Sequence, residues 1–528
     1  MNDDTPRNRK HATSRRSAPD HERRDFIRAS GVLGFGLATS ALGLRPGTAE
    51  AAEPGRRGGT LRVAIPAAKS IDPLKIDSAG AIAIVQQVGE YLVWAEPDLS
   101  LRPVLATAWH TPDGGKTWIF ELRKGVKFHD GREMTADDVV ATFERLVNPK
   151  MASVARAQIP FLKPGDTTRV DHHTVKFTLD RAVGEFPYYT QIYNAVILPH
   201  DYAGDFAKNP VGTGPFRMID YKPQQSARFE RNPDYWDAGK PYLDAVEMGL
   251  YGSPQPMILA LQGGDTDMML GISSIDAKPL LAKPDIRIAR AHSSATRLLA
   301  MRVDRKPFND RRVRQAVALC LNREAMLKVL LGGAGELGND HPIAPIFGDH
   351  IRLKQRHQDV GRARRLLAEA GYPRGFEIDL YTGDYLELPQ YAILAQQMLA
   401  PAGIRVKLRV EPLNTYYDHW TQVDFGLTDW TGRTTPSQIL SAAFGGHSEW
   451  NAAHWKHPGF DDIVAKLEAS TDPHQRDRLA NQAATMLHDE TPAAIAYFID
   501  LLRPMRRKVK GVEANMSQYL DLTQAWLS

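Results

Sequence analysis

The chain has 528 residues, too many for one ordinary core, and its length suggests two or three domains. Apolar residues make up 43% and charged residues 24%, the balance of an ordinary globular protein, and no apolar run of about 18 residues suggests an internal membrane span. The formal net charge of +4 sits mostly in residues 1–51, which hold nine Lys/Arg and six Asp/Glu; the remainder carries only +1, and with no basic stripe interleaved with aromatics no nucleic-acid partner is expected.

Residues 22–51 read ERRDFIRASGVLGFGLATSALGLRPGTAEA. Arg23 and Arg24 precede Phe26 and Ile27, a weakly apolar Gly/Ala-rich run follows from Gly31 to Leu44, and Ala49-Glu50-Ala51 forms an A-x-A cleavage signature. The stretch resembles a twin-arginine (Tat) signal peptide. The expectation is a signal peptide over residues 1–52, a mature chain starting near Glu53, and export to a periplasm or cell envelope.

Gly59–Ile65 (GTLRVAI) alternates apolar and polar residues and reads as a first strand. Trp118, Phe120 and Leu122 alternate in TWIFELR, and Val126 and Phe128 continue the signal up to a turn at His129-Asp130-Gly131. Thr135-Ala136-Asp137-Asp138 resembles a capping box ahead of an amphipathic helix carrying Val139, Val140, Phe143, Leu146 and Val147. A strand at Val175–Leu179 follows. In VGTGPF (Val211–Phe216) the glycines serve backbone geometry at a tight turn between lobes; no Gly-Lys-Ser/Thr ending makes it a phosphate loop. GGDTD (Gly263–Asp267) reads as a helix-ending turn, and RNPDYW (Arg231–Trp236) as a loop held by aromatic anchors. Cys320, the single cysteine, lies in the helical run VRQAVALCLNRE and reads as a core residue. Asp359–Ala370 is a helix stopped by Gly371 and Pro373; Phe376, Ile378 and Leu380 alternate as a strand; a helix through Leu394–Leu399 ends by Gly403; and Ile404, Val406, Leu408 and Val410 form the next strand. Strand–helix–strand packs as a parallel crossover, so the chain is α/β.

Five blocks occur in one order: DGGKTWIFELRKGVKFHDGREMTADDVVATFERL after Trp109; NPVGTGPFRMIDYKP leading into ERNPDYWDAGKPYLDAVEM; PFNDRRVRQAVALCLNREAML; DVGRARRLLAEAGYPRGFEIDL; and NAAHWKHPGFDDIVAKLEASTDPHQRDRLANQAATML. Together they resemble the extracytoplasmic solute-binding proteins of ABC importers, family 5, the peptide/nickel/opine group, over nearly all of residues 58–500. The resemblance implies an α/β fold of the periplasmic-binding-protein type II, with two lobes around a cleft and an extra inserted domain. Lobe I would combine 53–95, 212–296 and 499–528, the inserted domain 96–211, and the second lobe 297–498. It further implies hinge closure on a small-molecule or peptide ligand, delivery to ABC permease subunits in the inner membrane, a monomer, and no cofactor or chemical step.

In the family the loop after one strand faces the cleft, and in the dipeptide and oligopeptide binders an aspartate there pairs with the ligand's α-amine. The matching stretch here is DWTGRTTPSQIL: Trp430-Thr431-Gly432 is kept, while Arg433 and Thr435 take the acidic positions before Pro436. In LAMRVDRKPF, Arg302 stands where the family usually has asparagine, with Asp304 two residues on. Two guanidinium groups in a cleft suit carboxylate or phosphate, so an anionic peptide-like or opine-like acid is the expected ligand, with Arg302 either reaching it or neutralised locally by Asp304. Tyr91 and Trp94 in QVGEYLVW, Asp72 in the loop after the first strand, and Tyr416, Tyr417 and Trp420 are further candidates for the cleft. His447, His454 and His457 raise a metal-chelate (nickel) or haem carrier as an alternative, but no carboxylate or cysteine completes a metal site. A secreted hydrolase is the alternative from another class, against which stand the missing G-x-S-x-G and H-E-x-x-H patterns.

Overall fold

Apolar alternation in short strands builds two large mixed sheets, a four-stranded one and two two-stranded ribbons in the computed structural model, which describes residues 55–348 and 351–528; the expected signal peptide lies outside them. The first sheet has the strand order Ile286–Ala291, Leu501–Arg506, Met268–Met269, Thr60–Pro66, Ala245–Tyr251, Ser226–Arg231, Phe216–Lys222. Thr60–Pro66 is its centre, parallel to both neighbours, with Leu61, Val63 and Ile65 fully buried. The second sheet runs Gly335–Leu337, Tyr497–Ile499, Thr296–Met301, Phe425–Trp430, Phe376–Gly383, Ile404–Glu411. Here Phe376–Gly383 and Ile404–Glu411 pair in parallel across the helix Leu388–Leu399, as the spacing predicts. A four-stranded antiparallel sheet, Ala106–His110, Thr117–Leu122, Thr174–Thr178 and Thr167–Asp171, falls in sequence between the strands Thr60–Pro66 and Phe216–Lys222. The α/β, two-lobed architecture implied by the resemblance is the one observed.

Local signals behave as the sequence suggests in several places. The Asp138 carboxylate accepts from the Thr135 backbone N–H at 2.7 Å and from its hydroxyl at 3.1 Å, starting the helix Ala136–Val147. Asp359 caps Val360–Glu369, and Gly264, at φ +90°, ends Pro254–Gly263. Cys320 is fully buried, and burial pushes its thiol up to about 12. The stretch Val126–Phe128 differs: it is a loop held by one bridge, Lys127 to Glu133. Gly212 and Gly214 also have a different role from a turn between lobes. A Cβ there would lie 2.2 Å and 2.6 Å from the carbonyl oxygens of Val88 and Gln87, so the loop is pressed flat on the end of the helix Ala79–Val88.

The chain passes from one large sheet to the other twice, at residues 292–295 and at Asp500. The two crossings are tied together: the Ile499 N–H donates to Ala295 O at 2.9 Å, Ser293 Oγ to Ile499 O at 2.5 Å, and His292 Nδ1 lies 2.9 Å from Asp500 Oδ1. No helix among the described residues is long and apolar enough to cross a membrane.

Candidate functional site

A cavity of about 1370 Å³ opens beside these crossings. Its walls come from three sources: the loop Leu270–Asp276 with Leu501–Arg503 and Ala514–Tyr519; the segment Tyr188–Tyr193 that follows the small sheet; and, from the second lobe, Tyr385–Glu387, Asp429–Thr434 and Gly445–Ser448 with Trp450.

Trp430 ends the strand Phe425–Trp430 and is buried, its ring 6.2 Å from Trp420 and 6.1 Å from Trp450. Trp450 is half exposed and offers an aromatic shelf to the cavity, a surface suited to a ligand's planar or apolar part. After Trp430 the loop turns under Ser294 of the crossing segment. Ser294 Oγ accepts from the Arg433 N–H at 2.7 Å and donates to the Arg433 carbonyl at 2.7 Å, so the loop's backbone is fixed to this crossing. A Cβ on Gly432 would meet Met516 Cε at 3.2 Å, so the loop packs closely on that side chain.

The Arg433 side chain donates from Nη1 to Thr431 Oγ1 at 2.7 Å. Burial lowers its pKa, with the phenols of Tyr193 and Tyr189 acting in the opposite direction, and among the described residues no carboxylate forms an ion pair with it. The other arginines of the cavity are engaged. Arg297 pairs with Glu387 (Nη2–Oε2 3.2 Å), which also accepts from the Tyr497 hydroxyl at 3.3 Å. Arg181 reaches Glu468 at 3.4 Å. Arg503 is caged by backbone carbonyls, including Leu270 O and Tyr519 O, both at 2.9 Å. Arg433 therefore presents a partly desolvated positive charge, which a carboxylate or phosphate satisfies best.

Of the residues singled out in the sequence, Trp430, Thr431, Gly432 and Arg433 come together in this wall. Arg302, Tyr91, Trp94 and Asp72 are placed elsewhere. The antiparallel register pairs Thr296 with Trp430 and Met301 with Phe425, so Arg302 lies just past the far end of the strand, roughly 20 Å away at strand rise. It is bound there by Asp304 through two hydrogen bonds of 2.8 Å. Tyr91 is buried, stacked on Tyr519 at 5.9 Å, and Trp94 packs on the same ring at 5.6 Å; both stand behind Tyr519, which does line the cavity. Asp72 turns its own loop, accepting from the Leu74 N–H at 3.1 Å and pairing with Lys75 at 3.4 Å. Tyr417 donates to Asp429 and Trp420 backs Trp430, again outside the wall. Among the described residues no cluster of three His, Cys, Asp or Glu has metal-binding geometry, and His454 Nε2 lies 2.8 Å from Thr421 O. Tyr189, Tyr193, Arg297 and Trp450 are cavity residues that the sequence did not single out; FPYYTQIYN carries no periodicity that would have marked its tyrosines.

Comparison with known proteins places the chain in a family. Residues 100–452 match the family model described as "Bacterial extracellular solute-binding proteins, family 5 Middle". The chain is 26% identical over 476 residues to heme-binding protein A of Haemophilus influenzae, covering 83% of this chain and 86% of that one. It is 27% identical over 457 residues to the dipeptide-binding protein of Escherichia coli, covering 78% and 83%. The fold of HbpA2 from Haemophilus parasuis superposes with a TM-score of 0.80 at 22% identity, over 89% of this chain and 100% of that one. Two lobes joined by a paired crossing, a cavity between them, and a family match spanning most of the chain lead to one conclusion: this chain belongs to the bacterial extracellular solute-binding proteins, family 5.

Proposed function

We infer that the chain is the periplasmic capture component of an ABC importer for a peptide-like or opine-like solute carrying an anionic group, which Arg433 holds. The observation that carries this reading is the state of the cavity's cations: Arg297 and Arg181 pair with carboxylates and Arg503 spends its three nitrogens on backbone carbonyls, whereas Arg433 is partly desolvated, bonds through Nη1 alone to its own loop, and has no paired carboxylate among the described residues. A ligand carboxylate supplies the missing charge with the geometry that a guanidinium favours. The cavity exceeds the range of ordinary small-ligand pockets, roughly 300–1,000 Å³, and suits a solute larger than one amino acid. Trp430, Thr431 and Gly432 shape the loop, and Trp450 offers a surface for the solute's apolar part.

In this reading residues 1–52 direct export by the Tat route. The mature chain divides into lobe I (53–95, 212–296 and 499–528), an inserted domain (96–211) and a second lobe (297–498). The protein acts as a monomer, closing its lobes on the solute and docking on membrane permeases. It holds the solute and performs no chemistry on it.

The test is a thermal-shift screen of the chain from residue 53 with alanyl-glutamate, alanyl-alanine, alanyl-lysine, octopine, a nickel–histidine chelate and haem. A solute that binds the native state alone raises the melting temperature by mass action. The expected result is stabilisation by the acidic solutes, lost in Arg433→Ala and kept in Arg302→Ala. Stabilisation by alanyl-lysine that survives Arg433→Ala would instead make the loop scaffold. Stabilisation by haem or the nickel chelate alone would move the protein to the carrier alternative.

A further inference from the structure

A second buried charge lies next to the cavity and belongs to neither a hinge nor a core. Glu185 follows the small sheet, in the segment that continues into Tyr189 and Tyr193, and its side chain is 1% exposed. Its two carboxylate oxygens are taken by different elements of the second lobe. Oε2 accepts from the hydroxyl of Ser437, in the first turn of the helix Pro436–Phe444, and Oε1 accepts from Arg476 Nη2, in the helix Pro473–Glu490. A buried carboxylate is costly unless charge-assisted bonds compensate it, and a helix start adds favourable field. Arg476 is itself held, donating to the carbonyls of Leu467 and Ser470 at 3.3 Å each.

The neighbours of Glu185 press the same two bodies together. The Gly184 N–H donates to Glu468 O at 2.7 Å. A Cβ on Gly184 would fall 2.1 Å from Ser470 O, so only glycine allows this approach. On the other side, Trp118 Nε1, from the small sheet, donates to Val183 O at 3.1 Å and fixes the segment to its own lobe. Ser437 lies four residues after Arg433, and Gln438 Oε1 accepts from Thr434 N–H at 3.2 Å, joining the helix start to the Arg433 loop. Tyr189 and Tyr193 line the same cavity as Arg433, and both phenols act electrostatically on its guanidinium.

We propose that Glu185 is a positioning residue: its carboxylate latches the segment Val183–Tyr193 onto Ser437 and Arg476, so that Arg433 from one lobe and the hydroxyls of Tyr189 and Tyr193 from the other form one composite anion site, complete only when the lobes are closed. The latch stands on its own contacts, while its consequence for affinity rests on the reading of Arg433 as the ligand's anchor. Ligand specificity and lobe closure are then one event, because the donors to the anion are assembled by the contact that shuts the cleft.

The experiment compares wild type, Glu185→Gln, Arg476→Met and the double variant, all from residue 53. Without ligand, hydrogen exchange is followed in the peptide 179–189, which contains the Gly184 amide, and in the peptide containing Phe120, which sits in the small sheet. The latch predicts at least ~10-fold faster exchange at 179–189 in each variant, no further gain in the double variant, unchanged exchange around Phe120, and a larger radius of gyration by small-angle scattering. With alanyl-glutamate as probe it predicts faster dissociation with little change in association. Unchanged exchange at 179–189 in both single variants overturns the latch whatever the probe does. Faster exchange everywhere, including Phe120, also overturns it, by making Glu185 a folding residue of the small sheet. Alanyl-glutamate binding that persists in Arg433→Ala overturns the anion reading and leaves the exchange result to decide the latch.

Discussion

The guanidinium of Arg302 meets Asp304 side-on, with Nε–Oδ1 and Nη2–Oδ2 both at 2.8 Å, and gives Nη1 to the Gln422 carbonyl at 3.3 Å. That pairing holds the Asp304 carboxyl down at about 2. Because Asp304 is about half exposed, the pair is screened and its worth is that of a good surface bridge plus the packed arginine stem. Arg302→Ala is expected to lower stability by about 1 kcal/mol above pH 4, with the difference shrinking as Asp304 is protonated below that, and to leave solute affinity untouched. Denaturant melts at pH 7 and pH 2.5 beside a binding curve check this; a lost binding curve would return Arg302 to the site. The sequence could not separate Arg302 from Arg433 because Thr296–Met301 is buried along its whole length, so alternation reports no face. Only the pairing of Arg297 with Asp429 shows which end of the strand reaches the cavity, and that register is a long-range fact.

Glu90 shows the same limit for whole elements. The helices Ala136–Val147 and Val360–Glu369 and the parallel pair around Leu388–Leu399 are written in caps, stops and periodicity, and their local order was legible. What VGTGPF and RNPDYW hold on to was not. Both converge on Glu90, which accepts from Thr213 Oγ1 at 2.9 Å, the Tyr235 hydroxyl at 2.7 Å and Trp236 Nε1 at 3.0 Å, joining two loops to the end of the helix Ala79–Val88. Partners separated by more than a hundred residues leave no spacing to read. Burial pushes this carboxyl up to about 7, against the pull of its three donors. Unfolded, it would release its proton near 4.5. The folded state therefore binds more protons between those values, and the contribution of Glu90 to stability, present below about pH 4.5, is lost as pH rises through 7. The shift corresponds to an upper bound of about 3 kcal/mol. Melting curves of wild type and Glu90→Gln from pH 5 to 8 should diverge in slope, the wild type falling relative to the variant as pH rises. Parallel curves would mean that the donors keep Glu90 ionised throughout.

At the scale of the molecule, the two-lobed plan was legible because five sequence blocks resemble one family in order, whereas the joint between the lobes was not, because it consists of single residues far apart in the chain. The crossings at residues 292–295 and Asp500 are too short to act as free linkers, and the bonds Ile499 N–Ala295 O and Ser293 Oγ–Ile499 O tie them together. In the proposed closing motion, bending about that pair would keep the lobes in register. Asp500 is buried and its carboxylate faces His292 Nδ1 at 2.9 Å, so it stiffens the pair without touching Arg433. Asp500→Ala should lower stability by about 1–2 kcal/mol, the usual range for losing one charge-assisted hydrogen bond, and widen the ligand-free distribution of lobe angles. Calorimetry then decides how the lobes are coupled. A single transition at lower temperature, with a larger ligand-free radius of gyration, fits a stiffened hinge. Two separated transitions would show that Asp500 carries the cooperativity between lobes, and an unchanged radius of gyration would show that the backbone pairing alone sets the hinge.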